Sequence, residues 1–135
     1  PGWDEIAVGL DAIVIDGRWD CMGWHDDGVV AICAWERELW WHDCDPGFLR
    51  DHERIIDLLD VDHATVGGRI QVRWTEAQAR AFQLLHVLPH ELGHHHDRMT
   101  TRSQARSARG EPYAEAYALE ALDVLWPQYA RRFGL

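Results

Sequence analysis

Apolar residues cluster at two places in the first third of the chain, and both clusters predict β-strands. One covers residues 6–16 and the other covers residues 28–35, and an Asp-Asp-Gly sequence typical of a turn leads into the second. Residues 38–42 continue the second strand or pair with it. Over residues 46–60 the apolar spacing becomes that of a helix, so the pattern changes there from strand to helix.

A further strand leads into the helical half of the chain. Ile70, Val72 and Trp74 alternate with polar residues, which predicts a strand over residues 69–74. The next four residues, Thr75-Glu76-Ala77-Gln78, have the pattern of a capping box, in which the first and fourth side chains bond each other's backbone N–H groups. This pattern predicts that a helix begins here and runs through Leu88 into the stretch of residues 90–94.

Prolines mark the remaining boundaries. Pro89 lacks a backbone N–H, which predicts a kink or a new helical segment. Residues 100–110 are rich in Ser, Thr, Arg and Gly and are typical of a loop. Pro112 then predicts the start of a last helix that reaches about Leu125 and is stopped by Pro127.

Composition narrows the class of protein. The 135 residues carry no internal repeat or linker, which predicts one α+β domain over residues 1–135. A net charge of −10 argues against non-specific binding to nucleic acid or to anionic lipid. No apolar run reaches membrane-spanning length, and three cysteines favour a reducing compartment. We therefore expect a cytoplasmic protein, although a first residue of Pro1 leaves open a removed leader.

Residues 90–94 carry the most definite chemistry in the chain. They read His90-Glu91-Leu92-Gly93-His94, so a helix would place two imidazoles on one face with a carboxylate beside them. Neutral imidazoles are ligands of catalytic zinc, and a neighbouring carboxylate can take a proton from water. The pentad therefore predicts a Zn²⁺ site with His90 and His94 as ligands and Glu91 as the general base.

A catalytic zinc site needs a third protein ligand. At 100° per residue, Glu115 falls on an otherwise apolar stripe of the predicted last helix. A carboxylate on a core-facing stripe costs several kcal/mol unless a cation compensates its charge. Glu115 is therefore the predicted third ligand. Glu111, which the helix dipole would stabilise, ranks second, and Glu120, on another face, ranks third.

The pentad followed by a glutamate on a later helix resembles the gluzincin group of zinc metallopeptidases, in particular its short minigluzincin form. The stretch Glu115-Ala116-Tyr117-Ala118 resembles the E-x-x-A pattern of that family's glutamate helix, in which the small residue lets two helices approach. The resemblance covers about residues 75–126. The related metzincin pattern requires other residues at the positions of Asp97 and Thr100, so it does not apply.

The resemblance implies both a fold and a reaction. The fold would be zincin-like, with a small, mainly antiparallel sheet packed on the pentad helix and a glutamate helix closing the site. The reaction would be peptide-bond hydrolysis, with His90, His94 and Glu115 holding zinc while Glu91 deprotonates the attacking water. Apart from the resemblance, the predicted strand at residues 69–74 suggests a sheet edge along which an extended peptide or protein substrate would lie.

The sequence leaves several roles open. A non-catalytic zinc-binding regulatory or interaction module on the same scaffold is the alternative function, although the intact Glu91 favours an enzyme. Hydrolysis of a non-peptide amide is a third possibility, and neither the substrate nor the oligomeric state is predicted. Candidates for stabilising an oxyanion are Tyr113, Tyr117 and a loop arginine.

The remaining histidines and cysteines have weaker assignments. Asp97 either orients a ligand imidazole or is a solvated residue, and the position of His86 depends on the break at Pro89. His95 and His96 are predicted to be exposed. A second metal cluster is conceivable, but without a C-x-x-C knuckle free thiols and ordinary histidines are favoured. Its members would be Cys21, His25, His42 and Cys44.

Overall fold

The chain alternates short strands and helices before it becomes wholly helical. A computed structural model describes residues 3–35, 40–44, 46–101 and 109–135. The strands are β1 (Ala12–Asp16), β2 (Gly23–Asp26), β3 (Val29–Cys33), β4 (Trp40–Cys44), β5 (Asp62–Val66) and β6 (Arg69–Arg73). The helices are α1 (Trp3–Ile6), α2 (Pro46–Asp51), α3 (Glu53–Leu58), α4 (Glu76–Phe82), a π-helical turn (Gln83–Val87), α5 (Leu88–Thr100) and α6 (Gly110–Phe133).

These elements form two compact units. The first comprises Pro1–Ala34 together with Gln83–Leu135, and the second comprises Trp35–Phe82. Both units mix helices with a three-stranded sheet. The single domain predicted for residues 1–135 stays a prediction. Among the described residues, no helix has both the length and the apolar character needed to cross a bilayer.

The sheet of the second unit has the order β4-β6-β5 and is antiparallel throughout. The strand predicted at residues 69–74 is present as β6, but it lies in the centre of the sheet. The idea that it is an edge for an extended substrate is therefore wrong, because its backbone groups are paired on both sides. The partner β5 is exposed along its whole length, so no apolar alternation revealed it.

The sheet of the first unit has the order β1-β3-β2, with β3 parallel to β1 and antiparallel to β2. The central β3 is a continuous apolar run whose last four residues are buried, as expected for a strand covered on both faces. Asp27 and Gly28 have φ values of 35° and 84° and form the tight turn between β2 and β3. This confirms the turn that the sequence predicted. Ile6, Val30 and Leu92 form a buried cluster that joins α1, β3 and α5.

The start of α4 agrees with the sequence prediction, whereas the end of α6 does not. The capping box is confirmed, since Thr75 Oγ1 accepts the Gln78 N–H at 3.2 Å and Gln78 Oε1 accepts the Thr75 N–H at 2.8 Å. Pro89 lies in the first turn of α5, which is a new segment after the π-helical turn. The predicted stop at Pro127 is wrong, because α6 continues to Phe133. A proline removes only one backbone bond, and the helix ends where Gly134 adopts φ 74°.

Helices α5 and α6 approach each other closely at Gly93. A Cβ atom at this position would lie 2.9 Å from the Cα of Ala114 and 3.0 Å from the Cβ of Tyr117. Ala114 and Ala118 are themselves fully buried on α6. The backbones can therefore pack at this distance only because the facing residues are small.

Asp97 joins the same two helices through a buried carboxylate. Its side chain has no exposed surface, and its Oδ2 atom accepts the backbone N–H groups of Arg109 and Gly110, each at 3.0 Å. Its Oδ1 atom accepts the Nε–H of Arg109 at 2.6 Å. Asp97, at the end of α5, thus satisfies donors at the start of α6 that have no partner within the helix. The predictions of a solvated residue or of an imidazole partner are wrong, because burial places this carboxylate against α6.

Burial by itself raises the pKa of Asp97, but the Arg109 guanidinium and the two backbone N–H groups outweigh it and hold the pKa below its ordinary value of 3.8. We expect Asp97→Asn to lower the free energy of unfolding at pH 7 by about 2 kcal/mol, because the amide nitrogen of asparagine cannot accept a hydrogen bond and leaves donors at the start of α6 without an acceptor. Urea denaturation measures this. Asp57→Asn, the same change at an exposed position, is the control and should shift the value by less than about 0.5 kcal/mol.

The same pair predicts a dependence on pH. Because the folded-state pKa is lowered, the stabilisation is fully present above the ordinary value of 3.8 and is lost as the pH falls through the folded-state pKa. The difference in unfolding free energy between the unchanged protein and Asp97→Asn should therefore shrink on acidification below about pH 4. A difference that stays constant from pH 7 to pH 2 would contradict this account.

We expect Gly93→Ala to destabilise the protein by about 1–3 kcal/mol, because the new methyl group must push α6 away from α5. The thermal midpoint measures this loss. Gly17→Ala is the matched control, since a Cβ atom there meets nothing within 4 Å. Equal midpoints for the two variants would show that α5 and α6 are not packed as described.

Candidate metal centre

The pentad histidines and a glutamate of α6 converge on one point. His90 and His94 lie one turn apart on α5, and their Nε2 atoms are 3.2 Å apart. Glu111, in the first turn of α6, places Oε2 at 3.2 Å from His90 Nε2 and Oε1 at 3.2 Å from His94 Nε2. These three residues are one of the groups among the described residues that could hold a metal ion.

The spacing of these three side chains suits a zinc ion. Ligand atoms at 2.0–2.1 Å from a tetrahedral zinc lie about 3.3 Å from one another. The Nε2 atoms of His90 and His94 are 3.2 Å apart, which agrees with that value, and each of them lies 3.2 Å from a different carboxylate oxygen of Glu111. Two imidazoles and one carboxylate are also a ligand set of catalytic zinc sites, which leave a fourth position open.

Glu115 also reaches the centre, but from another side. Its Oε2 atom lies 3.4 Å from His90 Nδ1, the ring nitrogen opposite to the one that faces Glu111, and 3.8 Å from His86 Nε2. A carboxylate in this position commonly orients a metal-ligating imidazole. Glu115 as the third ligand stays a prediction, with Glu111 at the shorter distances. Glu120 is exposed on α6.

His90 and His94 lie in different electrostatic surroundings. Burial lowers the pKa of His90, but the neighbouring carboxylate of Glu115 with the charges of Glu91 and Glu111 outweighs it and raises the pKa above 6.5. Burial lowers the pKa of His94 below 6.5, with a further contribution from His25 and His90. Carboxylates therefore surround His90 with negative charge, which a bound cation would neutralise.

Strand β2 covers the predicted base Glu91. Glu91 is 9% exposed, and its Oε2 atom lies 3.2 Å from Nδ1 of His25. The His25 ring also stacks on His94, with ring centroids 4.6 Å apart and planes 11° from parallel. A Cβ atom at Gly23 would lie only 2.8 Å from Cγ of Glu91, so β2 packs directly against this side chain.

Sequence reasoning missed the place of His25 in the centre. His25 and Glu91 are 66 residues apart, and no local pattern links them. The sequence pattern instead places His25 near Cys21, His42 and Cys44. Among the described residues, neither metal-capable group contains a cysteine, and the side chain of His42 lies outside the description. The second of those groups is His25 with Glu91 and His94.

The other histidines singled out by sequence belong to neither metal-capable group among the described residues. His95 is 3% exposed, with Nε2 at 3.1 Å from the Val8 carbonyl oxygen, so its predicted exposure is wrong. The chain after α1 covers this face of α5, which helical periodicity cannot reveal.

His96 is half-buried, and its Nδ1 lies 2.7 Å from the Tyr113 hydroxyl. Burial raises the pKa of Tyr117. The loop arginines at positions 102 and 106 lie outside the described residues.

Three comparisons with known proteins found no relative of this chain. No model of a protein family matches the chain. Neither a curated protein nor a solved structure matches it either. The likeness to gluzincins is therefore a likeness of motif, and function has to be argued from the chemistry of the residues described above.

Proposed function

We propose that this protein is a zinc-dependent metallopeptidase of zincin-like type, which hydrolyses peptide bonds. One observation carries the proposal: the Nε2 atoms of His90 and His94 and the carboxylate oxygens of Glu111 are separated by 3.2 Å, and the buried Glu91 lies on the same helix. A convergent set of two imidazoles and a carboxylate with a buried carboxylate beside it suits metal-assisted hydrolysis.

His90 and His94 would hold the zinc ion through their Nε2 atoms. The distances favour Glu111 as the third ligand over Glu115, the ligand expected from the sequence. Glu115 would then hold the His90 ring in place through Nδ1. When bound, zinc supplies a Lewis acid that polarises a carbonyl group and makes water more acidic.

Glu91 would act as the general base and then as the general acid. One oxygen of its carboxylate takes a proton from water as the hydroxyl group adds to the peptide carbonyl carbon. The same proton then passes to the amide nitrogen as the carbon–nitrogen bond breaks. His25 Nδ1, 3.2 Å from Glu91 Oε2, would hold the carboxylate in one orientation during both transfers.

A substrate edge is available at β2 in place of β6. Strand β2 lies at the edge of its sheet, and among the described strands it pairs only with β3. Its residues Gly23 and His25 contact Glu91. An extended peptide that added to this edge through main-chain hydrogen bonds would lie beside the base.

The ligand assignment predicts a pattern of zinc affinities. The metal-stripped protein should bind one zinc ion, and Glu111→Gln should weaken binding by more than about 100-fold, as expected for loss of a direct ligand. Glu115→Gln should weaken it by about 10–100-fold, the usual effect of removing the partner of a ligand imidazole. Competition with a chromogenic chelator measures these affinities.

Glu120→Gln, an exposed change on the same helix, is the control for the zinc measurements and should leave affinity unchanged. A larger loss for Glu115→Gln than for Glu111→Gln would make Glu115 the ligand. If the unchanged protein binds no zinc, the proposed function is wrong.

The proposed base predicts that binding and catalysis can be separated. Glu91→Gln should retain zinc, because Glu91 is not a ligand, while cleavage of a quenched peptide library falls by about 100-fold or more. Full cleavage by this variant would exclude Glu91 as the base. Stoichiometric zinc without cleavage of any peptide by the unchanged protein would instead support a non-catalytic zinc-binding module.

A further inference from the structure

Two cysteines meet at the start of β2, outside the candidate metal centre. The sulfur atoms of Cys21 and Cys33 lie 3.2 Å apart, and both residues are free thiols. The backbone holds them there, because the N–H of Cys33 donates to the carbonyl oxygen of Met22 at 2.8 Å. Gly23 then pairs with Ile32 in the antiparallel β2–β3 ladder. The contact between the two sulfurs is therefore supported by main-chain hydrogen bonds on neighbouring residues.

The two thiols differ in accessibility. Cys33 is 2% exposed, and burial together with its hydrogen bond to Cys21 raises the pKa of its thiol to about 12. Cys21 is only half-buried, so this residue is more open to solvent than Cys33. Thiol–disulfide exchange needs an accessible thiolate to attack first and a second thiol to resolve the product. Cys21 suits the first role, and Cys33 suits the second because it is in contact with Cys21.

We propose that Cys21 and Cys33 are a redox-active dithiol, which small disulfides such as glutathione disulfide convert into an intramolecular disulfide. The Cys21 thiolate attacks one sulfur of the oxidant, which forms a mixed disulfide and releases one thiol. The Cys33 thiol then attacks the Cys21 sulfur while its proton passes to the leaving glutathione sulfur, which closes the Cys21–Cys33 bond and releases the second thiol. Two electrons leave the protein and reduce one disulfide oxidant to two thiols.

Only a small movement of the two sulfur atoms is needed to form the disulfide bond. A disulfide bond is about 2.0 Å long, so the two sulfurs must approach by about 1 Å from their present separation of 3.2 Å. The bond would tie the entry of β2 to the end of β3. Strand β2 also carries Gly23 and His25, which contact Glu91. The inference does not depend on zinc binding or on hydrolysis, so either proposal can fail without the other.

The experiment exposes the reduced, native, full-length chain at neutral pH to excess glutathione disulfide. The reaction is stopped with acid, the chain is unfolded and alkylated with N-ethylmaleimide, and tryptic peptides are weighed. Cys21 and Cys33 share the peptide of residues 19–37, and Cys44 lies in another. We expect the shared peptide to lose two hydrogen atoms and to take up no maleimide, whereas the Cys44 peptide stays alkylatable.

Two variants and an unfolded control complete the design. Cys44→Ser should close the same disulfide at the same rate, and Cys33→Ser should stop at the glutathione adduct of Cys21. In urea the preference for the Cys21–Cys33 pair should disappear. The proposal is overturned if native, unchanged protein keeps three alkylatable thiols, accumulates a lasting glutathione adduct on Cys21, or forms its disulfide through Cys44. These readings use the unchanged protein, so they stand even if a variant does not fold.

Discussion

The buried carboxylate of Asp97 is the interaction on which the candidate centre depends. Removing a charge from water is costly, and here a guanidinium and two backbone N–H groups offset that cost. Those partners lie at the beginning of α6, so Asp97 determines where this helix starts relative to α5. Glu111 follows Gly110 directly and Glu115 follows one turn later. Asp97 is not part of the centre, but by positioning the start of α6 it places the carboxylates of Glu111 and Glu115 near His90.

Close packing sets the distance between the helices that Asp97 aligns. Gly93, inside the pentad, faces Ala114 without a side chain on either backbone larger than a methyl group. The approach brings glutamates of α6 within 3.2–3.4 Å of imidazoles of α5. The packing of the two helices thus brings the carboxylates of Glu111 and Glu115 together beside the His90 ring.

Strand β2 contributes both to the candidate metal centre and to the contact between Cys21 and Cys33. Strand β2 contains a glycine and a histidine in place of an apolar run, and for that reason it does not look like a strand in the sequence. The structure explains both residues. Gly23 allows β2 to pack on Glu91, and His25 contacts that carboxylate. The Cys21–Cys33 contact lies just before the same strand and is the proposed site of thiol–disulfide exchange.

Features that depend on neighbouring residues could be predicted from the amino-acid sequence. The spacing of His90 and His94, the capping box at residues 75–78 and the turn before β3 follow from local geometry, because helices and turns repeat over a few residues. Three features could be seen only in the folded chain: Glu111 comes closest to both imidazoles, His25 contacts Glu91, and β6 is central in its sheet. These depend on contacts between distant segments, which side-chain periodicity does not encode.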